Sequence, residues 1–242
     1  MDDFQLRPAD DLGLRPWERL SSVRRESGPV LSAVHVAWAL LARTYFALWH
    51  RLRVVGAENL PTDFPFILCS NHSSHLDALA LVAPLRFDLR AKTFALAAGD
   101  VFFDSAFTTA FAAGFINALP LWRKKRTPQA LKELREKLVN TPCGFVVFPE
   151  GGRSRDGKMV PFKGGVGMVV AGTPVPVVPC HITGTFEAMP AGVRFPRPRR
   201  ITIRVGPPVK FDDVKNDKHG WNRVMTVVEE RVKALAADAA EG

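Results

Sequence analysis

Asn71-His72-Ser73-Ser74-His75-Leu76-Asp77 closes the apolar run Phe64-Pro65-Phe66-Ile67-Leu68-Cys69 and leads into Leu76-Asp77-Ala78-Leu79-Ala80-Leu81. An apolar run, a polar turn and a second apolar run predict a buried strand, a turn and a helix. A histidine and a carboxylate are thereby delivered to the carboxyl end of a strand, where open α/β sheets keep their ligand crevices. Imidazole is the side chain whose ordinary pKa lets it take a proton near neutrality, which makes His72 a candidate base. Asp77 is placed to fold back over the first helical turn and orient it. Two plainer readings compete. Ser74 and Asp77 also have the spacing of a capping box, which satisfies only the free N–H groups of a helix start. His72, His75 and Asp77 are potential metal ligands, but the remaining histidines form no second cluster and no cysteine pair has zinc spacing, so no metal is expected.

Working outward, strands are expected at Arg53-Val54-Val55-Gly56, 64–70, 91–97, 144–148, 175–182 and 201–205, and helices at 76–83, 127–140, from Lys163-Gly164-Gly165 onward, and 221–237. Strands alternating with helices predict one α/β domain with a mixed, mostly parallel sheet flanked by helices. The prolines of Val175-Pro176-Val177-Val178-Pro179 assign their strand to an edge or an irregular position. Residues 101–119 carry Phe102, Phe103, Phe107, Phe111 and Phe115, and read as an apolar connecting helix that lines a tunnel.

The chain divides into a polar arm (1–28), an apolar helix (29–50) and the main domain (51–242). Val30 to Trp49 is long enough to cross a bilayer, yet Ser32, His35, Arg43 and His50 share one helical stripe, and arginines flank both ends. A helix lying in the membrane interface fits that pattern, and so does one packed on the domain's own core. Of 242 residues, 33 are Lys or Arg and 24 Asp or Glu; the net charge of +9 calls for an anionic partner such as phosphate or a membrane surface. Nucleic acid is not expected, since no binding motif is present. Cys69, Cys143 and Cys180 lie in apolar contexts and read as reduced, buried thiols. Met1-Asp2-Asp3 opens a polar stretch without the pattern of a secretory signal, so a cytoplasmic location is expected.

A second chemical stretch is Glu150-Gly151-Gly152-Arg153-Ser154-Arg155. Glycines let the backbone approach a ligand, and Arg153 offers a planar fork that matches phosphate. Glu150 would repel a phosphate, so it is expected to bond a ligand hydroxyl or to brace the loop. The four cations Arg123-Lys124-Lys125-Arg126 read as a solvated face or a second anion contact.

Asn71-His72 with Asp77, then Phe148-Pro149-Glu150-Gly151 with Arg153-Ser154, then Phe162-Lys163 with Gly165, then Val175 to Pro179 occur in this order. Over residues 50–210 the chain resembles the glycerolipid acyltransferases, specifically the 1-acylglycerol-3-phosphate acyltransferases and their lysophospholipid relatives. The resemblance implies transfer of a fatty acyl group from a coenzyme A or acyl carrier protein thioester to a lysophospholipid hydroxyl, in phospholipid biosynthesis. The thioester is a co-substrate, and no cofactor is implied. It further implies His72 as base and Asp77 as orienter. Glu150, Gly151, Gly152, Arg153 and Ser154, with Arg123, would serve the acceptor and its phosphate, and Phe115, Pro176 and Pro179 the acyl donor or its tunnel. Such a protein would sit on the cytoplasmic face of the membrane as a peripheral or monotopic protein. Two departures stand out. Ala118 holds the place where the family's second motif has an arginine, and Gly152 replaces a threonine. A non-catalytic lipid-binding protein and a thioesterase using the same histidine are the competing functions. For the transfer reaction, the N–H groups at the start of the helix after His72 are the expected oxyanion donors.

Overall fold

Phe66–Ser70 (β2) is buried along its whole length, which requires cover on both faces of the sheet that holds it. The computed structural model describes residues 29–98, 117–121, 128–193 and 195–237, with Gly13, Arg15 and Ser22. Most of the polar arm, the Phe-rich run with Phe115, and the Arg123–Arg126 cluster lie outside the described residues.

Among the described residues seven strands form one sheet in the order β1-β7-β6-β2-β5-β3-β4: Arg53–Val55 (β1), β2, Thr93–Ala98 (β3), Ala118–Leu121 (β4), Gly144–Val147 (β5), Val177–Thr183 (β6) and Thr202–Val205 (β7). β6, β2, β5, β3 and β4 run parallel to one another, while β7 is antiparallel to β6 and carries β1 parallel to itself. The turns after β2, β5 and β6 therefore open at a single sheet edge. The expected α/β sheet, mixed and mostly parallel, is the fold observed.

The helices are Pro29–Leu48 (α1), Leu76–Val82 (α2), Phe87–Ala91 (α3), Pro128–Asn140 (α4), Gly165–Val170 (α5), Thr185–Ala188 (α6) and Lys218–Ala237 (α7). One core joins Ile67, Cys69, Phe145 and Val177 of the sheet to Leu134, Leu138, Val169, Val224 and Val228 of α4, α5 and α7. On the other face, Phe66, Leu68, Val146 and Val178 meet Leu76, Leu81, Leu89 and Phe46 of α2, α3 and α1. Side chains of successive strand residues alternate between these two layers. At Gly167 a Cβ would come 2.5 Å from the backbone oxygen of Trp221, so its absence lets α5 and α7 pack backbone to backbone. The Arg135 guanidinium donates to the carbonyls of Ala171 at 2.7 Å and Val169 at 3.1 Å, closing the end of α5.

Four sequence readings change. Residues 118 and 119, placed in a helix, belong to β4; Asn117 turns the chain at φ +50° and its side chain donates to the Thr93 carbonyl at 2.9 Å, which starts the strand instead. β6 is no edge strand, for it is paired on both sides. It accepts Pro179 because that residue faces Gly206, just past the end of β7, whose N–H reaches the Pro179 carbonyl at 2.8 Å. α3 had no sequence counterpart. His50 leaves the expected polar stripe: it is buried beyond the helix end, bonded to the Tyr45 hydroxyl at 3.0 Å and the Arg199 carbonyl at 3.1 Å. α1 buries Ala39, Ala42 and Phe46, yet exposes Val36, Leu40, Leu41 and Leu48, with Trp49 exposed just past its end. Among the described residues no helix is long and apolar enough to cross a membrane.

Candidate active site

The turn after β2 is fixed before any chemistry is considered. Asn71 donates from its side-chain amide to the Ile182 carbonyl at 2.9 Å and accepts from the Ile182 N–H at 2.8 Å. Its side chain thus makes the two bonds that a strand backbone would make, and carries the β2–β6 ladder one step past the strand end.

His72 comes next, half-buried, with its ring stacked on Phe148 at 4.1 Å between centroids and 16° between planes. Its Nδ1 lies 2.9 Å from Asp77 Oδ2. With the carboxylate accepting, Nδ1 carries the proton and Nε2 keeps a lone pair; this tautomer is assigned from the hydrogen bond. The same Asp77 oxygen accepts from the N–H groups of Ser73 at 2.7 Å and Ser74 at 2.8 Å. Orienter and helix cap are therefore one carboxylate, and the two sequence readings describe the same atom. Ser74 Oγ accepts from the Leu76 N–H at 3.2 Å and donates to the Met189 carbonyl at 2.8 Å, while Ser73 Oγ meets Thr185 Oγ1 at 3.3 Å. The N–H of Asp77 bonds the Ser74 carbonyl. The N–H groups of Ser73, Ser74, Leu76 and Asp77 are thus bonded within the turn and helix start, which takes these four out of the expected set of oxyanion donors. His75 is exposed; partial desolvation and the neighbouring Arg153 charge lower its pKa from the ordinary 6.5, by an amount that its exposure limits. No group of three or more metal-ligating side chains occurs among the described residues.

Glu150 ties the second stretch to the first. Its buried carboxylate accepts from the His72 N–H at 2.7 Å through Oε1 and from the Val160 N–H at 3.1 Å through Oε2. Burial raises its pKa, against which the two N–H bonds favour the charged form. The Ser154 N–H returns to the His72 carbonyl at 2.8 Å, and Ser154 Oγ bonds Asp156 at 2.9 Å. Both ends of the His72 backbone are thereby clamped by one loop. Gly151 turns that loop at φ +76°, a conformation that excludes most side chains. At Gly152 a Cβ would meet nothing within 4 Å, so the place of the family's threonine is open. Arg153 is half-buried and, among the described residues, has no carboxylate partner within salt-bridge distance.

An apolar cavity of about 80 Å³ lies beside this turn, lined by Leu96, Leu131, Val147, Phe148, Gly151 and Lys163 among others. Phe148 is shared between the cavity wall and the His72 ring. The structure does not bring every expected residue here. Pro176 precedes β6 at the opposite sheet edge, where its carbonyl accepts from Ile67. Pro179 is buried within β6 opposite Cys69. Ala118 is fully buried and pairs with Ala95, and it offers no charge at that place; Arg123 follows the end of β4 by two residues in sequence. Thr185 and Val160 were missed by sequence reasoning. The Gly184-Thr185 pair directly after β6 was the available signal for the first, and Val160 offered none, since only its backbone takes part.

A chain with this sheet, a histidine–aspartate pair at the strand ends and a Glu-Gly-x-Arg loop clamped to it matches a known family over residues 51–183: it belongs to the Acyltransferase family. Within that family it is 32% identical to 1-acyl-sn-glycerol-3-phosphate acyltransferase alpha of Mus musculus, over 74% of this chain and 61% of that protein. It is 33% identical to the chloroplastic 1-acyl-sn-glycerol-3-phosphate acyltransferase BAT2 of Brassica napus, over 60% of this chain and 40% of that protein. The crystal structure of the 1-acyl-sn-glycerophosphate (LPA) acyltransferase PlsC from Thermotoga maritima superposes with a TM-score of 0.61 at 30% identity, over 85% of this chain and 78% of that one. The chain spans between 40% and 61% of the length of the two curated relatives.

Proposed function

We propose that this protein is an O-acyltransferase that moves a fatty acyl group from an acyl thioester to the free hydroxyl of a lysophospholipid, with 1-acylglycerol-3-phosphate as the acceptor. The observation that carries the reading is the His72–Asp77 contact of 2.9 Å, set against an apolar cavity through the shared Phe148 ring. The names of the relatives supply the acceptor class.

In the proposed step His72 Nε2 takes the proton of the acceptor hydroxyl, and its oxygen adds to the thioester carbonyl carbon. Asp77 holds the ring and stabilises the imidazolium. The tetrahedral intermediate collapses by breaking the C–S bond, and the departing sulfur takes the proton from His72. No nucleophilic serine is used. A positioned base of this kind contributes about 10²–10⁴ in rate, and holding two lipid-derived reactants together supplies much of the rest. The apolar cavity takes the acyl chain near its carbonyl end, and Arg153 takes the acceptor's phosphate, with Arg123 as a second cation. The donor is a coenzyme A or acyl carrier protein thioester. Two lipid substrates and the apolar outer face of α1 support a peripheral or monotopic protein on a membrane surface, which we take to be the cytoplasmic face.

The test measures acylated lipid and free fatty acid separately, from acyl-CoA and from acyl carrier protein thioester, with and without lysophosphatidic acid. His72→Ala is expected to lose transfer while keeping its melting temperature. Fatty acid released without an acceptor would make the protein a thioesterase. Near-normal transfer by His72→Ala would end the reading.

A further inference from the structure

Phe195 is the most exposed large apolar side chain among the described residues, at 81%. It stands in the loop joining α6 to β7, whose sequence from Phe195 reads Phe195-Pro196-Arg197-Pro198-Arg199-Arg200, with all three arginines exposed. This loop takes no part in the chemistry proposed above, and its composition runs against ordinary folding logic. An aromatic ring left in water forgoes the stabilisation its burial would give. Pro196 and Pro198 fix φ on either side of Arg197 and keep the loop from collapsing onto the ring.

Both ends of the loop are anchored at places already described. At its start, the Met189 carbonyl accepts from Ser74 of the catalytic turn at 2.8 Å, and the Arg197 N–H bonds the Ala188 carbonyl at 2.8 Å. At its end, His50 Nδ1 bonds the Arg199 carbonyl at 3.1 Å, and the Ile201 N–H bonds the His50 carbonyl at 3.0 Å. His50 directly follows Leu48 and Trp49, at the exposed apolar end of α1. The loop therefore bridges the catalytic turn and the apolar outer face of α1.

We infer that this loop is a second membrane contact. Phe195 inserts among the acyl chains of an anionic bilayer, and Arg197, Arg199 and Arg200 hold its headgroup phosphates. The inference rests on the reading that the substrates are membrane lipids. A protein partner would need a contiguous apolar patch, and one isolated ring among exposed cations does not provide it. A bilayer supplies both halves of the match, an apolar interior and an anionic rim. Two contacts, α1 and this loop, fix the tilt of the domain where one helix would leave it free to roll. The catalytic turn then faces the surface from which the acceptor comes.

The experiment uses the full chain with phosphatidylcholine vesicles, alone and mixed with phosphatidylglycerol. Because Cys69, Cys143 and Cys180 are buried, Phe195→Cys can be labelled selectively with an environment-sensitive fluorophore. The label is expected to shift to the blue on mixed vesicles and to be quenched by brominated lipid. Phe195→Ser should lower partition about tenfold on both vesicle types, from the loss of one inserted aromatic. Arg197→Gln, Arg199→Gln and Arg200→Gln together should lower it by about fivefold per arginine, on the mixed vesicles alone. All variants should keep the parent melting temperature and turnover on a short-chain acceptor below its micelle concentration. An unquenched label and unchanged partition on vesicles that still bind the parent protein would overturn the loop contact and leave the membrane reading standing. A parent protein that binds neither vesicle would remove both. Weaker retention of the arginine variant on heparin, with vesicle binding unchanged, would assign the cations to an acidic macromolecule and overturn the proposal.

Discussion

Replacing Glu150 by Gln distinguishes a brace from a ligand reader. The carboxylate is 2% exposed and receives two backbone N–H groups, from His72 at 2.7 Å and Val160 at 3.1 Å. Glutamine keeps one carbonyl oxygen for one of them and turns an NH2 toward the other, so two donors face each other in a buried place. A hydrogen bond to a charged group contributes about 1.5–3 kcal/mol, and a buried unsatisfied donor costs about 1–3 kcal/mol. Part of that loss is returned, because the neutral amide is cheaper to desolvate than the carboxylate. A net loss of about 2–3 kcal/mol is expected. At about 2–4 °C per kcal/mol for a domain of this size, the melting temperature should fall by roughly 5–10 °C. Because the lost bond holds the backbone of His72, kcat should fall for every acceptor alike, with or without a phosphate. Calorimetry paired with turnover on two such acceptors makes the measurement. An unchanged melting temperature with a raised KM for one acceptor would refute the reasoning, and would show that Glu150 leaves the loop to bind substrate.

Arg153→Ala should lower kcat/KM about tenfold for a phosphate-bearing acceptor and leave a phosphate-free one nearly unchanged, as expected for one charged hydrogen-bonding contact. An equal loss with both acceptors would make Arg153 part of the loop's support. Gly167→Ala should destabilise by about 1–3 kcal/mol, since its Cβ would lie 2.5 Å from the Trp221 oxygen and 2.7 Å from its Cα, and backbone cannot rotate away; urea melts check it. Burial, helped by the Arg204 charge, pushes His181 from its ordinary 6.5 down to about 4. Between those values the unfolded imidazole takes a proton and the folded one does not, so stability should fall as pH drops from about 6.5 to about 4, by on the order of 1–3 kcal/mol. His181→Leu should flatten part of that slope in melts taken across the window; His75, shifted in the same direction, accounts for a remainder.

The parts of the site that sequence made legible are those compressed into short stretches. His72 and Asp77 are five residues apart across a strand–turn–helix junction, and Gly151 and Arg153 sit on one turn, so type and spacing place them. The partners that hold them are far away in sequence. Nothing near Asn71 points to Ile182, and nothing near Glu150 points to the backbone of Val160. β4 was hidden because apolar residues 101–119 share one composition, and the left-handed turn at Asn117, just before the strand, leaves no mark in that composition. The prolines assigned β6 to an edge or an irregular position; the edge alternative fails because the missing donor falls beyond the end of the neighbouring strand. Glu150 was assigned either to a ligand hydroxyl or to bracing the loop; the structure shows the bracing bonds, and its two backbone donors were not visible in the sequence.

The long-range stitches also set when, in the life of the chain, the proposed site can be complete. His72 and Glu150 are 78 residues apart and Asn71 and Ile182 are 111 apart, so the site closes only after wide loops of chain have been drawn together. A nascent chain emerging from the ribosome carries His72 and Asp77 early, yet has no clamp until Glu150 appears and no anchor for the turn until Ile182 follows. Partly made or partly refolded protein therefore holds the imidazole without the hydrogen bonds that fix its backbone. In a refolding experiment, helical signal returns with the local elements. Turnover returns last and marks the closure of the central sheet.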